Sequence, residues 1–157
     1  MSSIDFAYLA DRERAIPLVA KWYFEQWGHL IEDETLDRST DRMRDYLNRA
    51  EIPFILLALD HEEIVGAAQL KYYEMRQTFP DRKHWLGGVY VAPGRRGAGL
   101  GSRLAEEIAS RASVCGVETL YLQTEQLDGG LYARLGWLPL EQVDNHGLKV
   151  LVMERHL

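Results

Sequence analysis

Cysteine and positive charge are both scarce in this chain, and each shortage excludes a class of protein. The one cysteine, Cys115, cannot form an internal disulfide, and its place on the apolar face of a predicted helix favours packing over a nucleophilic role. The formal net charge of −6 argues against general nucleic-acid binding, because a phosphate backbone selects basic surfaces. We therefore expect neither a disulfide framework nor a nucleic-acid partner.

The chain also lacks a long apolar run and a recognisable targeting segment. No stretch is long enough to span a bilayer, and the first residues lack the basic and apolar regions of a signal peptide. The five histidines, at positions 29, 61, 84, 146 and 156, show no metal-ligand spacing. The expectation is a cytoplasmic protein with no membrane partner and no metal.

What the chain does contain suits one globular domain over residues 1–157. Its 157 residues are 46% hydrophobic and 27% charged, and no repeat or low-complexity tract interrupts them. Periodicity and turn signals predict strands at 4–9, 54–59, 64–73, 85–91, 119–124, 137–143 and 148–155. They predict helices at 16–30, 39–50, 99–115 and 130–135, the second with Met43, Leu47 and Ala50 inward.

A glycine-rich segment between the fourth strand and the third helix predicts an anion site. Residues 91–101 read Val-Ala-Pro-Gly-Arg-Arg-Gly-Ala-Gly-Leu-Gly. Glycines let backbone N–H groups approach a ligand, and the helix dipole adds partial positive charge. No lysine follows the glycines as a Walker loop requires, and Ser102 stands where a dinucleotide fingerprint needs its third glycine. ATP, GTP and NAD are therefore disfavoured, and another phosphate ligand is expected.

Two motifs in the second half of the chain carry a family signature. The first is Arg96-x-x-Gly99-x-Gly101 after a strand ending in Val-x-Pro, and the second is Leu-Tyr-Ala-Arg-Leu-Gly-Trp at 131–137. Over roughly residues 85–136 the chain resembles the GNAT superfamily of acyl-CoA-dependent N-acetyltransferases. The resemblance implies an α/β fold with a GNAT-like central sheet, mixed and mostly antiparallel. About seven strands would be flanked by about four helices, with a splayed parallel pair at strands 4 and 5.

The resemblance also indicates which residues would hold acetyl-CoA. In the family the glycine loop grips the CoA pyrophosphate, and the fourth strand bulges away from the fifth to leave backbone groups for the pantetheine arm. Gly87 and Gly88 are the predicted bulge, and Arg95, Arg96 and Arg103 form a local basic patch. The predicted cofactor-binding residues are Val89, Tyr90, Val91, Arg95, Arg96, Gly97, Ala98, Gly99, Leu100, Gly101, Ser102 and Tyr132.

The chemistry implied is the attack of an amine on a thioester. The amine must be oriented and must lose a proton, and the oxyanion that forms must be stabilised. The backbone N–H of Tyr90 or Val91 is the predicted donor to this oxyanion. In the family a tyrosine of the second motif protonates the departing thiolate, and it corresponds to Tyr132. A phenol with an ordinary pKa near 10 remains a donor at pH 7.

The general base stays open at the level of sequence. Many relatives carry a glutamate on the fourth strand, but residues 85–91 contain no acidic residue. His84 precedes that strand, and a histidine has an ordinary pKa of about 6.5. Glu74 and Asp81 are further candidates that could act directly or through water.

Three aromatic residues are predicted to contact the acceptor amine. In the family the first two helices and the loop before the fourth strand shape acceptor specificity, which indicates Tyr23, Trp27 and Trp85. An aromatic stripe at helical spacing, such as Tyr23 and Trp27, is more often part of a core.

We therefore predict a cytoplasmic N-acetyltransferase that uses acetyl-CoA and acts on a primary amine. The acceptor would be a small molecule or the amino terminus of a peptide or protein. Two alternatives stay open: an inactive acyl-CoA sensor or partner module, favoured by the missing strand glutamate, and a regulator that binds ATP at the glycine loop. A homodimer is a further expectation from the family.

Overall fold

One seven-stranded sheet organises the chain. A computed structural model describes residues 3–157. The strands are β1 Ile4–Tyr8, β2 Phe54–Asp60, β3 Glu63–Lys71, β4 Trp85–Val91, β5 Thr119–Thr124, β6 Leu138–Asn145 and β7 Leu148–His156. Their order is β1-β2-β3-β4-β5-β7-β6, and the β4–β5 pair is parallel while the other neighbours are antiparallel. The predicted mixed, mostly antiparallel sheet is confirmed.

Helices cover both faces of this sheet. They are α1 Ile16–Trp27, α2 Leu36–Met43, α3 Leu100–Val114 and α4 Gly130–Arg134. α1 and α2 bury Val19 and Met43 against one face, and α3 buries Leu104 and Ile108 against the other, as their apolar spacing predicts. Within residues 3–157, none of the helices has the length and apolar character needed to cross a membrane.

The second helix differs from its prediction at both ends. α2 begins three residues earlier than expected, because the Thr35 hydroxyl accepts a hydrogen bond from the Arg38 N–H (3.1 Å) and caps the helix. Met43 is buried as predicted and Leu47 is partly buried, but Ala50 is exposed and has a φ of +52°. The predicted inward position of Ala50 is wrong. The other predicted helices and strands are confirmed to within three residues at each end.

The fourth strand bulges near its paired glycines, as predicted. Along the β3–β4 ladder, Ala67 pairs with Tyr90 whereas Gln69 pairs with Gly87, so β4 has one residue more than β3 between these positions. The bulge therefore lies at Gly88 and the residue after it, one position later than the predicted pair. Gly88 has a φ of +54°, a conformation that favours glycine.

The parallel pair of strands separates soon after it forms. β4 and β5 are paired only where Trp85 stands opposite Tyr121. Among residues 3–157, β4 has no strand partner on the side of β5 beyond this position, which confirms the predicted splay. Backbone groups of β4 are therefore available to something other than a strand.

Candidate active site

A cavity of about 710 Å³ lies at the gap between β4 and β5. Its walls come from α1, α2, α4, β3, β4, β5 and the turn between β6 and β7. Tyr23 and Trp27 line it from the layer of α1, and Tyr132 lines it from α4. This volume is typical of sites for small molecules.

The glycine loop ends at the start of α3 with free amide groups. The first hydrogen bond of this helix joins the Arg103 N–H to the Gly99 carbonyl (3.1 Å), so the N–H groups of Leu100, Gly101 and Ser102 have no partner inside it. Gly99 has a φ of +80°, and a Cβ built there would meet nothing within 4 Å. The open space and the unpaired amides fit a pyrophosphate.

Arg96 lies beside the last residue of β4. The Ala92 N–H donates to the Val65 carbonyl on β3 (2.9 Å). Because backbone groups alternate sides along a strand, those of Val91 face away from β3. Arg96 Nε donates to the Val91 carbonyl (2.9 Å) on that side. The end of β4 and the Arg96 side chain therefore form a continuous polar edge. Such an edge suits contacts with both the pantetheine arm and the phosphates of CoA.

The predicted basic patch is smaller than expected. Arg95 forms ion pairs with Asp60 and Glu63 at the turn between β2 and β3. The Arg103 guanidinium lies 5.7 Å from the centre of the Phe6 ring. Arg95 is thus paired with acidic side chains, and the Arg103 guanidinium lies near the Phe6 ring. The predicted contact of the Arg95 side chain with the cofactor is not supported.

Tyr132 stands on α4 with its ring held by the core. The ring meets that of Trp137 edge-on, with centres 6.1 Å apart, and Trp137 is only 2% exposed. Burial raises the pKa of Tyr132 to about 12. The phenol therefore stays protonated far above neutral pH, as a proton donor requires.

This raised pKa predicts a loss of stability in alkali. The Tyr132 pKa is 10 in the unfolded chain and about 12 in the folded one, so its contribution is complete below pH 10 and is lost towards pH 12. We expect urea denaturation from about pH 8 to about pH 12 to show a shallower decline in Tyr132→Phe than in the unsubstituted protein. Tyr23 and Tyr46, whose pKa values burial also raises, contribute equally to both proteins. Identical declines of the free energy of unfolding in the two proteins would contradict a raised pKa for Tyr132.

Lys71 and Glu74 lie together beside Gly87 on β4. A Cβ built at Gly87 would lie 2.9 Å from Lys71 Cε and 3.4 Å from Glu74 Oε2. The carboxylate pairs with Lys71 and accepts a hydrogen bond from Gln123 Nε2 (3.0 Å), while Gln123 Oε1 accepts from Asn145 Nδ2 (2.7 Å). Burial opposes the charge on Lys71, but Glu74 outweighs it and the Lys71 pKa is raised. A loop residue thus presents a carboxylate beside the fourth strand.

The other two candidate bases lie elsewhere. His84 and Asp81 line a second, smaller cavity together with Glu118 and Thr119. Burial and the nearby Lys83 lower the pKa of His84. The structure separates His84 from the cavity that contains Tyr132, so its predicted role as the base is not supported. In the described part of the chain, no group of three or more histidine, cysteine, aspartate or glutamate side chains could hold a metal ion.

The three predicted acceptor contacts have different surroundings. Tyr23 donates its hydroxyl to the Gly88 carbonyl (2.7 Å), and the Trp27 ring lies 5.4 Å from its ring. Trp85 is fully buried and donates its indole N–H to the Arg82 carbonyl (2.6 Å). Trp85 is therefore a core residue, and its predicted acceptor contact is not supported.

The cavity also contains polar side chains that the sequence did not indicate. The Glu34 side chain is only 3% exposed and pairs with Arg42 on α2. The wall further includes Gln69, Lys71, Gln123 and Asn145. These residues lie far apart in the sequence, on β3, β5, β6 and the turn before α2, so no local motif could have identified them.

Comparison with known proteins agrees with this geometry. A family model described as acetyltransferase (GNAT) family matches residues 16–137. No curated protein matches the chain in sequence. The ribosomal-protein-alanine N-acetyltransferase from Brucella melitensis is 23% identical, with 99% of both chains covered and a TM-score of 0.74.

Two further solved structures show the same likeness. YncA from Salmonella typhimurium, solved with its cofactor acetyl-CoA, is 18% identical over 99% of this chain and 93% of that chain, with a TM-score of 0.75. Aminoglycoside 6'-acetyltransferase type Ii is 17% identical over 97% of this chain and 96% of that chain, with a TM-score of 0.73. At these identities the likenesses show a shared fold.

Proposed function

The chain belongs to the acetyltransferase (GNAT) family, and we propose that it transfers the acetyl group of acetyl-CoA to a primary amine. The acceptor is a small molecule or the amino terminus of a peptide or protein. One observation carries this proposal: a single cavity joins the gap beside β4 to Tyr132 and Glu74. Donor and acceptor can meet there in a ternary complex, so the protein need not supply a nucleophile.

The residues at the mouth of this gap fit the CoA part of the donor. In our proposal the free amides at the start of α3 and the Arg96 guanidinium hold the pyrophosphate. The backbone of Val89 and Val91, on the unpaired side of β4, holds the pantetheine arm. This arrangement favours acetyl-CoA over ATP, because ATP has no arm to occupy the strand edge. Competition between the two ligands tests this directly.

The cavity supplies a base and an acid for the transfer. Glu74 takes a proton from the acceptor ammonium, directly or through water. The amine nitrogen then bonds to the acetyl carbon, the carbon–sulfur bond breaks, and Tyr132 donates its proton to the sulfur. The second proton that the amine nitrogen loses as the amide forms restores the phenol, and Glu74 releases the first proton to solvent. The inactive-sensor hypothesis rested mainly on the absence of an acidic residue on β4. The Glu74 carboxylate beside Gly87 therefore supports an active enzyme instead.

Thiol release with a panel of amines tests the proposed activity. The panel contains an aminoglycoside, free amino acids and peptides with free amino termini, because structural neighbours named for aminoglycoside and ribosomal-protein-alanine acetyl transfer share the fold. We expect acetyl-CoA to bind in the micromolar range, about −8 kcal/mol, before any acceptor is added. No calorimetric heat and no thermal shift at millimolar acetyl-CoA would overturn the proposal. A cytoplasmic location and a homodimer stay predictions.

We expect Glu74→Gln to lower kcat/KM for the acceptor about 10²-fold at neutral pH, because an amide cannot accept the proton. The deficit should shrink as the pH approaches the pKa of the acceptor, since less deprotonation is then needed. Affinity for acetyl-CoA should not change.

His84→Gln is the matched control for this change, because His84 was an equal candidate in the sequence but lies in the second cavity. It should keep kcat/KM near that of the unsubstituted protein. A larger loss in His84→Gln than in Glu74→Gln would show that the base has been assigned to the wrong residue.

A further inference from the structure

The hydroxyl of Tyr23 ties α1 to the bulge of β4. It donates to the carbonyl oxygen of Gly88 over 2.7 Å, and the Tyr23 side chain is 7% exposed. Burial raises the pKa of Tyr23 far above its ordinary value, so the hydroxyl keeps its proton. The bulge is therefore held by a permanent donor from another layer of the fold.

Tyr23 packs closely against Gly88. A Cβ built at Gly88 would lie 2.9 Å from Tyr23 Oη and 3.0 Å from Gln69 Cδ. The Trp27 ring also packs near Tyr23, with ring centres 5.4 Å apart. The missing side chain at Gly88 is thus the space that the Tyr23 hydroxyl needs in order to reach the backbone.

The hydrogen bond also sets the direction of the next N–H group. The carbonyl and the N–H of one trans peptide point in opposite directions. Since the Gly88 carbonyl faces Tyr23, the Val89 N–H of the same peptide points away from Tyr23. Within residues 3–157, β4 has no strand partner there on the side of β5. Tyr90, by contrast, stays in the ladder opposite Ala67.

We infer that Tyr23 is a positioning residue for acetyl transfer. By holding the Gly88 carbonyl it aims the Val89 N–H at the carbonyl oxygen of the acetyl group, which polarises that carbonyl and stabilises the negative charge that develops on it. This inference rests on the proposed function, because it needs a thioester in the cavity. It replaces the predicted acceptor contact of Tyr23 and moves the oxyanion donor from Tyr90 or Val91 to Val89.

Tyr23→Phe tests the inference, because it removes the hydroxyl and keeps the ring. We expect kcat to fall about 10-fold to about 100-fold, less than the loss of an oxyanion donor itself. The dissociation constant of CoA, which has no acetyl carbonyl, should not change. Tyr121→Phe is the matched control, because it also removes a tyrosine hydroxyl, but Tyr121 lies on β5 at the second cavity.

An infrared measurement separates positioning from general support of the fold. Acetyl-CoA labelled with ¹³C at the acetyl carbonyl is bound to each protein without an acceptor, and the thioester stretching frequency is recorded. We expect a lower frequency in the unsubstituted protein and in Tyr121→Phe, and a return towards the solution value in Tyr23→Phe.

An unchanged frequency in Tyr23→Phe, with or without a loss of thermal stability, would overturn this inference and leave the proposed function intact. Failure of the unsubstituted protein to bind acetyl-CoA would overturn the proposed function and this inference together.

Discussion

Gly99→Glu abolishes acetyl-CoA binding, whereas Gly116→Glu leaves it unchanged: this is the result we expect from the loop at the start of α3. Gly99 precedes the unpaired amides of the first helical turn. A carboxylate there would occupy the proposed pyrophosphate position and oppose its charge, in a place where the helix dipole favours an anion from the ligand. We expect an affinity loss of more than about 100-fold, or about 2.7 kcal/mol.

Gly116 makes the comparison informative because its backbone matches that of Gly99. The two glycines have φ values of +85° and +80°, and a Cβ built at either would meet nothing within 4 Å. Both substitutions therefore introduce the same charge and a similar strain, of order 1–3 kcal/mol. Calorimetric titration of both variants with acetyl-CoA measures the difference. Equal affinities of the two variants for acetyl-CoA would show that the loop does not bind the phosphates.

The phosphate loop could be predicted because its geometry is local in the sequence. Glycines with positive φ and the start of a helix are decided by a few neighbouring residues, so the motif of Arg96, Gly99 and Gly101 indicated both the turn and the free amides. The bulge was predicted for a similar reason, since paired glycines inside a strand rarely continue a regular ladder. Its position at Gly88 required the register of β3 against β4.

Side-chain direction near the start of β4 could not be predicted in this way. Trp85 is buried because it stands at the one position where β4 still pairs with β5, opposite Tyr121. His84, one residue earlier, has a φ of +78° and turns into the second cavity. The positions of both side chains depend on where β4 and β5, which are distant in the sequence, begin and stop pairing.

The position of the Glu74 carboxylate also depends on contacts between residues that are distant in the sequence. Glu74 reaches the strand through its pairing with Lys71 and Gln123, which belong to two different strands. A search of the fourth strand alone therefore finds no acid. The structure shows that the preceding loop can supply one, because Gly87 leaves space beside the strand.

Tyr132→Phe should lower kcat for thiol release about 10²-fold to about 10³-fold while the dissociation constant of acetyl-CoA stays the same. The substituted ring keeps its edge-on contact with Trp137, so the change removes only a proton donor. The Tyr132 pKa of about 12 means that the unsubstituted protein keeps this donor across the neutral range. Steady-state thiol release at saturating acetyl-CoA and calorimetric titration give the two quantities separately.

Tyr121→Phe is the control for this substitution, because Tyr121 lies on β5 at the second cavity and its loss should leave kcat unchanged. The comparison also separates an enzyme from an inactive acyl-CoA sensor. A sensor would bind acetyl-CoA in both variants and release no thiol even before substitution, with any acceptor in the panel. An enzyme in which Tyr132 only packs against Trp137 would keep its kcat in Tyr132→Phe, because the ring contact remains. Only a donor at the sulfur gives unchanged affinity together with slow thiol release.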